Sequence, residues 1–501
     1  MSYRLGAFAD VGLDQAKLRH IVDEHERGCV PRFDKWWTYY RNPLQPVGVG
    51  RGLSGRWYRQ PQEVGLPTRL RACAPDGALR DDRAASRREV VIENDIAWRV
   101  QAMVDFMFGK PVAIRSTGPT AKRAIIERVL DSVWERSGGI ALLQDMALMG
   151  HVFGHVDLVV RVDEDALTAV QHTGGDPETS ALAAAGAITI EVVEPRRGVP
   201  VVSTHDYRRL DAYMIRSRAA GQTVGARAQE PSGLRAMFRA ITGAQDASGE
   251  VLEVISASAW HVYHDGQLVW QQARPWTGGH IPIVHIQNIS QPLEYEGMSE
   301  VEALIPLQDE LNTRLSDRAS RVTLQSFKMY LAKGVEGFDQ VGPGQVWYTD
   351  NMGASVQAFG GDADSPSEEA HIREVREALD KVSGVPPLSG GVVQGRIGNL
   401  SSATALRITL MGLTAKTNRK RVTYGGGIAR ACGLVLAALD TAGVLTTTPG
   451  ERGVELDWPD PLPEDIRDTA AAAQVRQAVG VPPAEIAKEL RIGAAVDSGV
   501  E

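Results

Sequence analysis

The stretch from Gly297 to Ser383 constrains the fold most, because it sets two long helical stripes on either side of a short β-like segment. Ser299 and Glu302 have capping-box spacing, and Val301, Leu304, Ile305, Gln308, Leu311, Leu315 and Val322 continue a helical stripe. Pro306 falls in an early turn or at a kink. The spacing predicts a helix to about residue 325, roughly 35 Å long at 1.5 Å per residue. A β-like segment from Lys328 to Phe359, with turns at Gly334, Gly342-Pro343-Gly344 and Asn351-Met352-Gly353, precedes a strongly charged helix over 366–383. In both helices acids and bases interleave: Glu302, Asp309, Glu310, Arg314, Asp317, Arg318 and Arg321 in the first, Glu368, Glu369, Arg373, Glu374, Arg376, Glu377 and Asp380 in the second. Such interleaving suits salt bridges between neighbouring helices, or simply a solvated surface.

At 501 residues the chain is too long for one core, so several units are expected. Upstream of Gly297 the reading is α+β. Helices are predicted over 14–42, 92–108, 119–136 and 139–149, and β-rich segments over 155–162, 188–194, 211–217, 251–256, 259–264 and 281–286. The Gly/Pro-rich stretch from Asn42 to Pro67 reads as loop or extended chain, and the Gly/Ala/Arg-rich stretch 218–250 as a mobile insertion. Downstream, a Gly-rich loop leads to a long helix starting near Ala403, and the last sixty or so residues read as short helices broken by Pro. No run of about 18 uninterrupted apolar residues occurs, and the amino terminus lacks the basic-then-apolar pattern of a secretory signal. Cys29, Cys73 and Cys432, widely spaced and odd in number, fit a reducing cytoplasm and no metal site.

The net charge of −8 disfavours a protein that coats nucleic acid, which needs many phosphate contacts, but is compatible with one that lets DNA slide. Charge is unevenly divided. Residues 385–439 hold Arg396, Arg407, Lys416, Arg419, Lys420, Arg421 and Arg430 and no acid, whereas 440–501 hold twelve acids against five bases. The switch marks either a meeting of two functional surfaces or helices that complement their neighbours.

Three stretches resemble the portal family of long-tailed bacteriophages. The first runs from Asn94 to the turn Gly109-Lys110-Pro111-Val112. The second, most specific, holds Ile305-Pro306-Leu307-Gln308-Asp309-Glu310-Leu311-Asn312 after Gly297-Met298-Ser299. The third runs from Gly384-Val385-Pro386-Pro387 through Asn399-Leu400-Ser401-Ser402-Ala403-Thr404-Ala405-Leu406, with Ser402 where the family usually has Gly. Together they cover roughly residues 90–430 in the family's order.

The resemblance implies a portal fold: an α+β wing over 1–300, stem helices over 301–325 and 366–384, a small α/β clip over 326–365, a tunnel loop over 385–402, a long wing helix over 403–439 and a helical crown over 440–501. It implies a ring, usually of twelve subunits, at a capsid vertex of the virion, assembled in the host cytoplasm. The ring would pass double-stranded DNA inward in packaging and outward in ejection. Implied partners are other copies of the chain, the terminase large subunit, the head-completion adaptor, and the major capsid and scaffolding proteins, with no membrane, cofactor or metal. The clip, with Trp347 and Tyr348, would be the docking face. Glu302, Asp309, Arg314, Asp317, Arg321, Glu369, Arg373 and Arg376 become candidates for the channel lining. In the tunnel loop Gln394, Arg396 and Asn399 would touch phosphates, and Gly390, Gly391, Gly395 and Gly398 would give backbone freedom. Twelve helices about 10 Å apart place their axes at a radius of roughly 19 Å, leaving a bore of roughly 28 Å, which admits a DNA duplex with little slack.

Enzyme signals do not assemble. Gly109-Lys110 lacks the earlier Gly and the following Ser or Thr of a phosphate-binding loop, Gly48–Gly55 follows no clear strand, and no Gly-x-Ser-x-Gly elbow exists. His151, His155 and Asp157 have a spacing that could ligate a metal from a helix, but Gly150 and Gly154 argue against a continuous helix there. His20, His25, Asp23 and Glu24 read as a solvated helix face. The competing readings are a packaging or processing enzyme such as a terminase or nuclease, and another head protein such as an adaptor or capsid subunit.

Overall fold

The computed structural model describes residues 3–46, 58–70, 89–171, 177–206, 208–219, 249–273, 276–325, 329–333, 353, 355–359, 365–387, 403–462 and 473–480. Its centre is a three-stranded antiparallel sheet in which His155–Val162 lies between Ile283–Gln287 and Ile188–Val193. Strand alternation divides His155–Val162 between two neighbours. Val156, Leu158 and Val160 face the helices Thr120–Arg136, Gly139–Phe153 and Met411–Thr441 in the largest core. Asp157, Val159 and Arg161 face a second, five-stranded antiparallel sheet, ordered Gln267–Ala273, Ala259–His264, Gly249–Ser256, Leu210–Ala219, Gly198–Val202. The outer face of that sheet is covered by the amino-terminal segment through Leu5, Phe8, Leu13 and Leu18.

Two ionic staples hold the sheets together. The Arg161 guanidinium binds Glu253 through both terminal nitrogens at 2.8 and 3.0 Å and Glu191 at 2.6 Å, over the Trp260 ring. Asp157 accepts from Tyr213 Oη, Tyr295 Oη and His285 Nδ1 at 2.7, 2.8 and 2.7 Å. Burial alone would raise the Asp157 carboxyl, but His285 and these donors hold it below the usual carboxylate range.

Several sequence expectations need correction. The helix expected to stop at 149 runs to Phe153 and passes straight through Gly150, because Tyr424 Oη occupies the space a Cβ at 150 would take. It ends where Gly154 turns left-handed at φ 83°. The helix expected from 92 begins at Asp95, capped by Asn94, and residues before it are extended. The long helix is two, Ala403–Thr409 and Met411–Thr441, broken at Leu410. The region after 440 is not only helical: Val454–Asp457 pairs antiparallel with Ala113–Ser116, a strand the sequence reading missed along with Gly198–Val202 and Gln267–Ala273. Within Asn42–Pro67, Pro61–Gly65 is a short 3-10 turn and Gln45–Pro46 pairs with Tyr58–Arg59.

Met411–Thr441 is long and apolar enough to cross a membrane by length and composition, yet its apolar side is the protein's own core. Gly427 lets it lie directly on Ile286, whose side chain fills the place of a Cβ.

Candidate functional site

Ile305–Gln325 and Pro366–Ser383 pack against each other in opposite directions, as the cross-links require: Glu310 meets His371 at 2.9 Å, Arg318 meets Glu369 at 3.4 Å, and Arg321 meets Glu368. Their apolar sides, Ile305 and Leu311 on one and Ile372, Val375 and Leu379 on the other, enter a common core with Val301, Leu304 and Leu413. At the far end the chain continues into Met329–Lys333, paired antiparallel with Ser355–Phe359.

The first of the two helices carries a polar stripe that receives an extended segment of backbone. Ser320 Oγ bonds both the N–H and the carbonyl of Glu89, and Ser316 Oγ does the same for Val91. Asn312 Oδ1 accepts from the Glu93 N–H at 3.0 Å. Gln308 donates to the Glu93 carbonyl and accepts from the Ile96 N–H. The fit is one of period: four helical residues rise about 6.0 Å and two extended residues about 6.6 Å, so every second backbone unit meets a side chain one turn along. Asn312 also donates to Gln62 Oε1 at 3.0 Å, which closes the buried end of the array. Sequence reasoning counted Gln308 with the apolar stripe. An uncharged Gln, Asn, Ser, Ser series at four-residue spacing was the available signal.

The near ends of both helices meet at one buried ionic node. The Glu300 carboxylate binds Lys416 and, at 2.7 Å, Lys420, and Lys416 also donates to the Ser383 carbonyl at 2.7 Å. The Glu300 N–H donates to the His151 carbonyl and Ser299 Oγ to that of Val152, so the carboxyl end of Gly139–Phe153 is tied in. Arg99 adds a second buried link, to Asp380 at 2.6 Å and Asp95 at 3.6 Å. Ser299 also accepts from the N–H groups of Val301 and Glu302, as its spacing predicts, with a 3-10 turn Glu302–Leu304 before the helix proper.

Most of the candidate lining residues are engaged within the chain. Asp309 accepts from Tyr39 Oη at 2.9 Å, Arg314 binds Glu310, Asp317 binds Arg69 at 2.6 Å, and Arg376 binds Glu93 at 2.7 Å. Arg321 and Glu369 bridge to the facing helix. Glu302 and Arg373 are exposed and form no ion pair among the described residues. Gln394, Arg396, Asn399, Gly390, Gly391, Gly395 and Gly398 lie outside the described residues, as do Gly48–Gly55, most of 218–250, Cys73, Trp347, Tyr348 and the turns at Gly334 and Gly342-Pro343-Gly344. His151 lies in the last turn of a helix and His155 begins a strand. Burial lowers both imidazoles, His155 to about 4. The two sides of the charge switch meet: Arg407 pairs with Asp460 at 2.8 Å, and Arg421 donates to the uncharged Pro459 carbonyl.

A sequence profile described as phage portal protein, SPP1 Gp6-like, matches residues 241–491. No curated protein matches the chain. Among solved structures it is similar to a chain in the virion of a native gene transfer agent particle, with TM-score 0.42 and 13% identity over 79% of this chain and 89% of that one. It is also similar to one in the neck of the empty particle, C6 symmetry, with TM-score 0.43 and 14% identity over 79% and 90%. A third is in the neck of the native particle, C12 symmetry, with TM-score 0.38 and 13% identity over 79% and 89%.

Proposed function

Since the chain belongs to the phage portal protein family, SPP1 Gp6-like, we propose that it forms a closed ring at one capsid vertex of a virion, through which double-stranded DNA is packaged and later ejected. The ring is dodecameric, and the motor is supplied by a terminase rather than by this chain, which acts as structure and not as an enzyme. In this reading residues 1–300 form the wing, 301–325 and 366–384 the stem, 326–365 the clip, 385–402 the tunnel loop, 403–439 the long wing helix and 440–501 the crown. The clip docks the terminase and then the head-completion adaptor, and the wing meets capsid and scaffolding proteins.

The observation that supports the reading is the antiparallel, cross-bridged helix pair anchored at one end by the Glu300 node and carrying a paired β segment at the other. A stem must resist shear while its outward surface stays weakly charged toward DNA. Internal pairing of Arg314, Asp317, Arg321 and Arg376 favours both, because paired charges attract phosphate less than free ones. Glu302 and Arg373 are then the groups best placed to face the bore. Native mass measurement with negative-stain imaging tests the reading. A ring with a central hole is expected, and a persistent monomer or a particle without a hole overturns it.

A further inference from the structure

The outward side of the long helical segment after Ala403 carries large apolar side chains among exposed Arg407, Thr409, Asn418 and Arg419, where a helix on a protein surface is ordinarily polar. Ile408, Met411 and Val422 are 66, 67 and 76% exposed. With exposed Ala415 they fall at heptad spacing as a seam across the break at Leu410, interrupted between Ala415 and Val422 by exposed Asn418. Beside the seam stands Arg419, exposed and without an ion pair among the described residues, although its neighbours Lys416, Lys420 and Arg421 are all engaged within the chain.

A matching recess lies elsewhere on the same chain. A cavity of about 210 Å³ opens between Pro111, Trp134, Ile140, Leu143, Ile428 and Leu456. Its polar lining includes the carboxylates of Asp131 and Glu135, both exposed and neither in an ion pair among the described residues. The volume suits one or two apolar side chains, since about 150 Å³ suffices for benzene, and falls short of the 300 Å³ or more typical of a cofactor site. The seam and the cavity use different sides of the long helix, Val422 pointing outward and Ile428 into the floor of the recess.

We propose that Val422 of one copy of this chain seats in the acid-rimmed cavity of the next copy, with Arg419, one turn away, meeting Glu135 and Asp131, and that Ile408 and Met411 are covered by the surface of that copy around it. The inference rests on the ring reading above and specifies its contact. The sign of the charges matches, basic on the apolar seam and acidic on the apolar recess. The two patches differ, so the contact is heterologous, and a heterologous contact repeats head to tail, giving a ring where its rotation closes, rather than stopping at a two-fold dimer.

Charge exchange tests it. Native mass spectra are compared for wild type, Arg419→Glu, Glu135→Lys, the combined variant and Met411→Asp, with circular dichroism confirming that each is folded. Wild type is expected as a ring. Each single charge reversal should lower the ring fraction about tenfold or more, as expected of like charges across an interface, and the combined variant should restore most of it. Met411→Asp should abolish the ring. A wild-type chain that forms no ring overturns the portal reading itself. A wild-type ring that folded Arg419→Glu, Glu135→Lys or Met411→Asp leaves unchanged, or that the exchange does not restore, overturns this contact alone.

Discussion

Glu300 is one carboxylate shared by two ammonium groups, the buried one of Lys420 and the half-buried one of Lys416, and that imbalance decides how the node titrates. Burial would raise a lone carboxyl, but Lys420 and Lys416 hold Glu300 down at about 2. Burial also acts on Lys420, whose attraction to the shared carboxylate does not make up for it, and its value falls to about 8. The two groups therefore move stability in different windows. Glu300, depressed below its ordinary 4.5, contributes fully above that pH and loses its contribution as pH falls toward 2. Lys420, depressed below 10.5, sheds its proton in the folded state first, so stability rises from pH 8 to 10.5 as the buried charge disappears. Glu300→Gln should cost about 3–5 kcal/mol at pH 7, because it strands the buried Lys420 ammonium, whereas Lys420→Met should be near neutral or stabilising, since Glu300 keeps Lys416. Urea unfolding across pH 7–10.5 checks both: the wild type should gain on Lys420→Met as pH rises. Parallel curves would mean that Lys420 carries no strained charge. None of this was legible in the sequence. The basic block was plain, but the acid that neutralises its core precedes it by more than a hundred residues, and only the fold brings the two together.

At the scale of elements, the array between residues 89–96 and Ile305–Gln325 explains why a helix with buried Gln308, Asn312 and Ser316 is stable at all. Buried polar side chains are tolerated when each finds its partner, and here the partners are backbone groups of a segment that has no strand beside it among the described residues. Asn312→Ala removes the acceptor of Glu93 and the donor to Gln62 at the fully buried end, and should cost on the order of 3 kcal/mol. Ser320→Ala, at the open end, should cost less than about 1 kcal/mol. Hydrogen exchange gives a second readout: the amides of Val91 and Glu93 should be protected in the wild type and released together in Asn312→Ala. If Asn312→Ala is as mild as Ser320→Ala, the array is decoration on a helix held by its apolar side. Amphipathic period alone located the two paired helices to within a few residues, because each buries one continuous stripe. It failed at Gly150, where a glycine that looked like a breaker is demanded by Tyr424, and at Val454–Asp457, whose pairing partner lies far upstream.

At the scale of the whole molecule, the proposed DNA passage raises the question of how an acidic chain would hold DNA without gripping it. The basic residues after Ala403 are largely committed within the chain, to Glu300, Asp460, and the carbonyls of Pro459 and His285. Between the helix end held by Lys416 at Ser383 and the helix that begins at Ala403, Arg396 is the sole charged residue. A ring of such chains would therefore present one guanidinium per subunit on that segment, a sparse belt whose affinity for phosphate is weak, sequence-blind and salt-dependent. Arg396→Ala should leave the ring mass unchanged and lower the DNA retained in assembled particles. The salt dependence of retention should flatten in proportion to the number of phosphates that the arginine belt neutralises in the wild type. Arg396→Lys should retain most of the wild-type behaviour, since a point charge is enough where no base is read. Retention measured over a salt series, beside native mass of the same preparations, separates the alternatives. Loss of the ring in Arg396→Ala would make the segment a structural joint. An unchanged salt series would place the DNA contact on the remaining free basic groups, Arg373 among them, and shift the search for the brake from the loop to the helix pair.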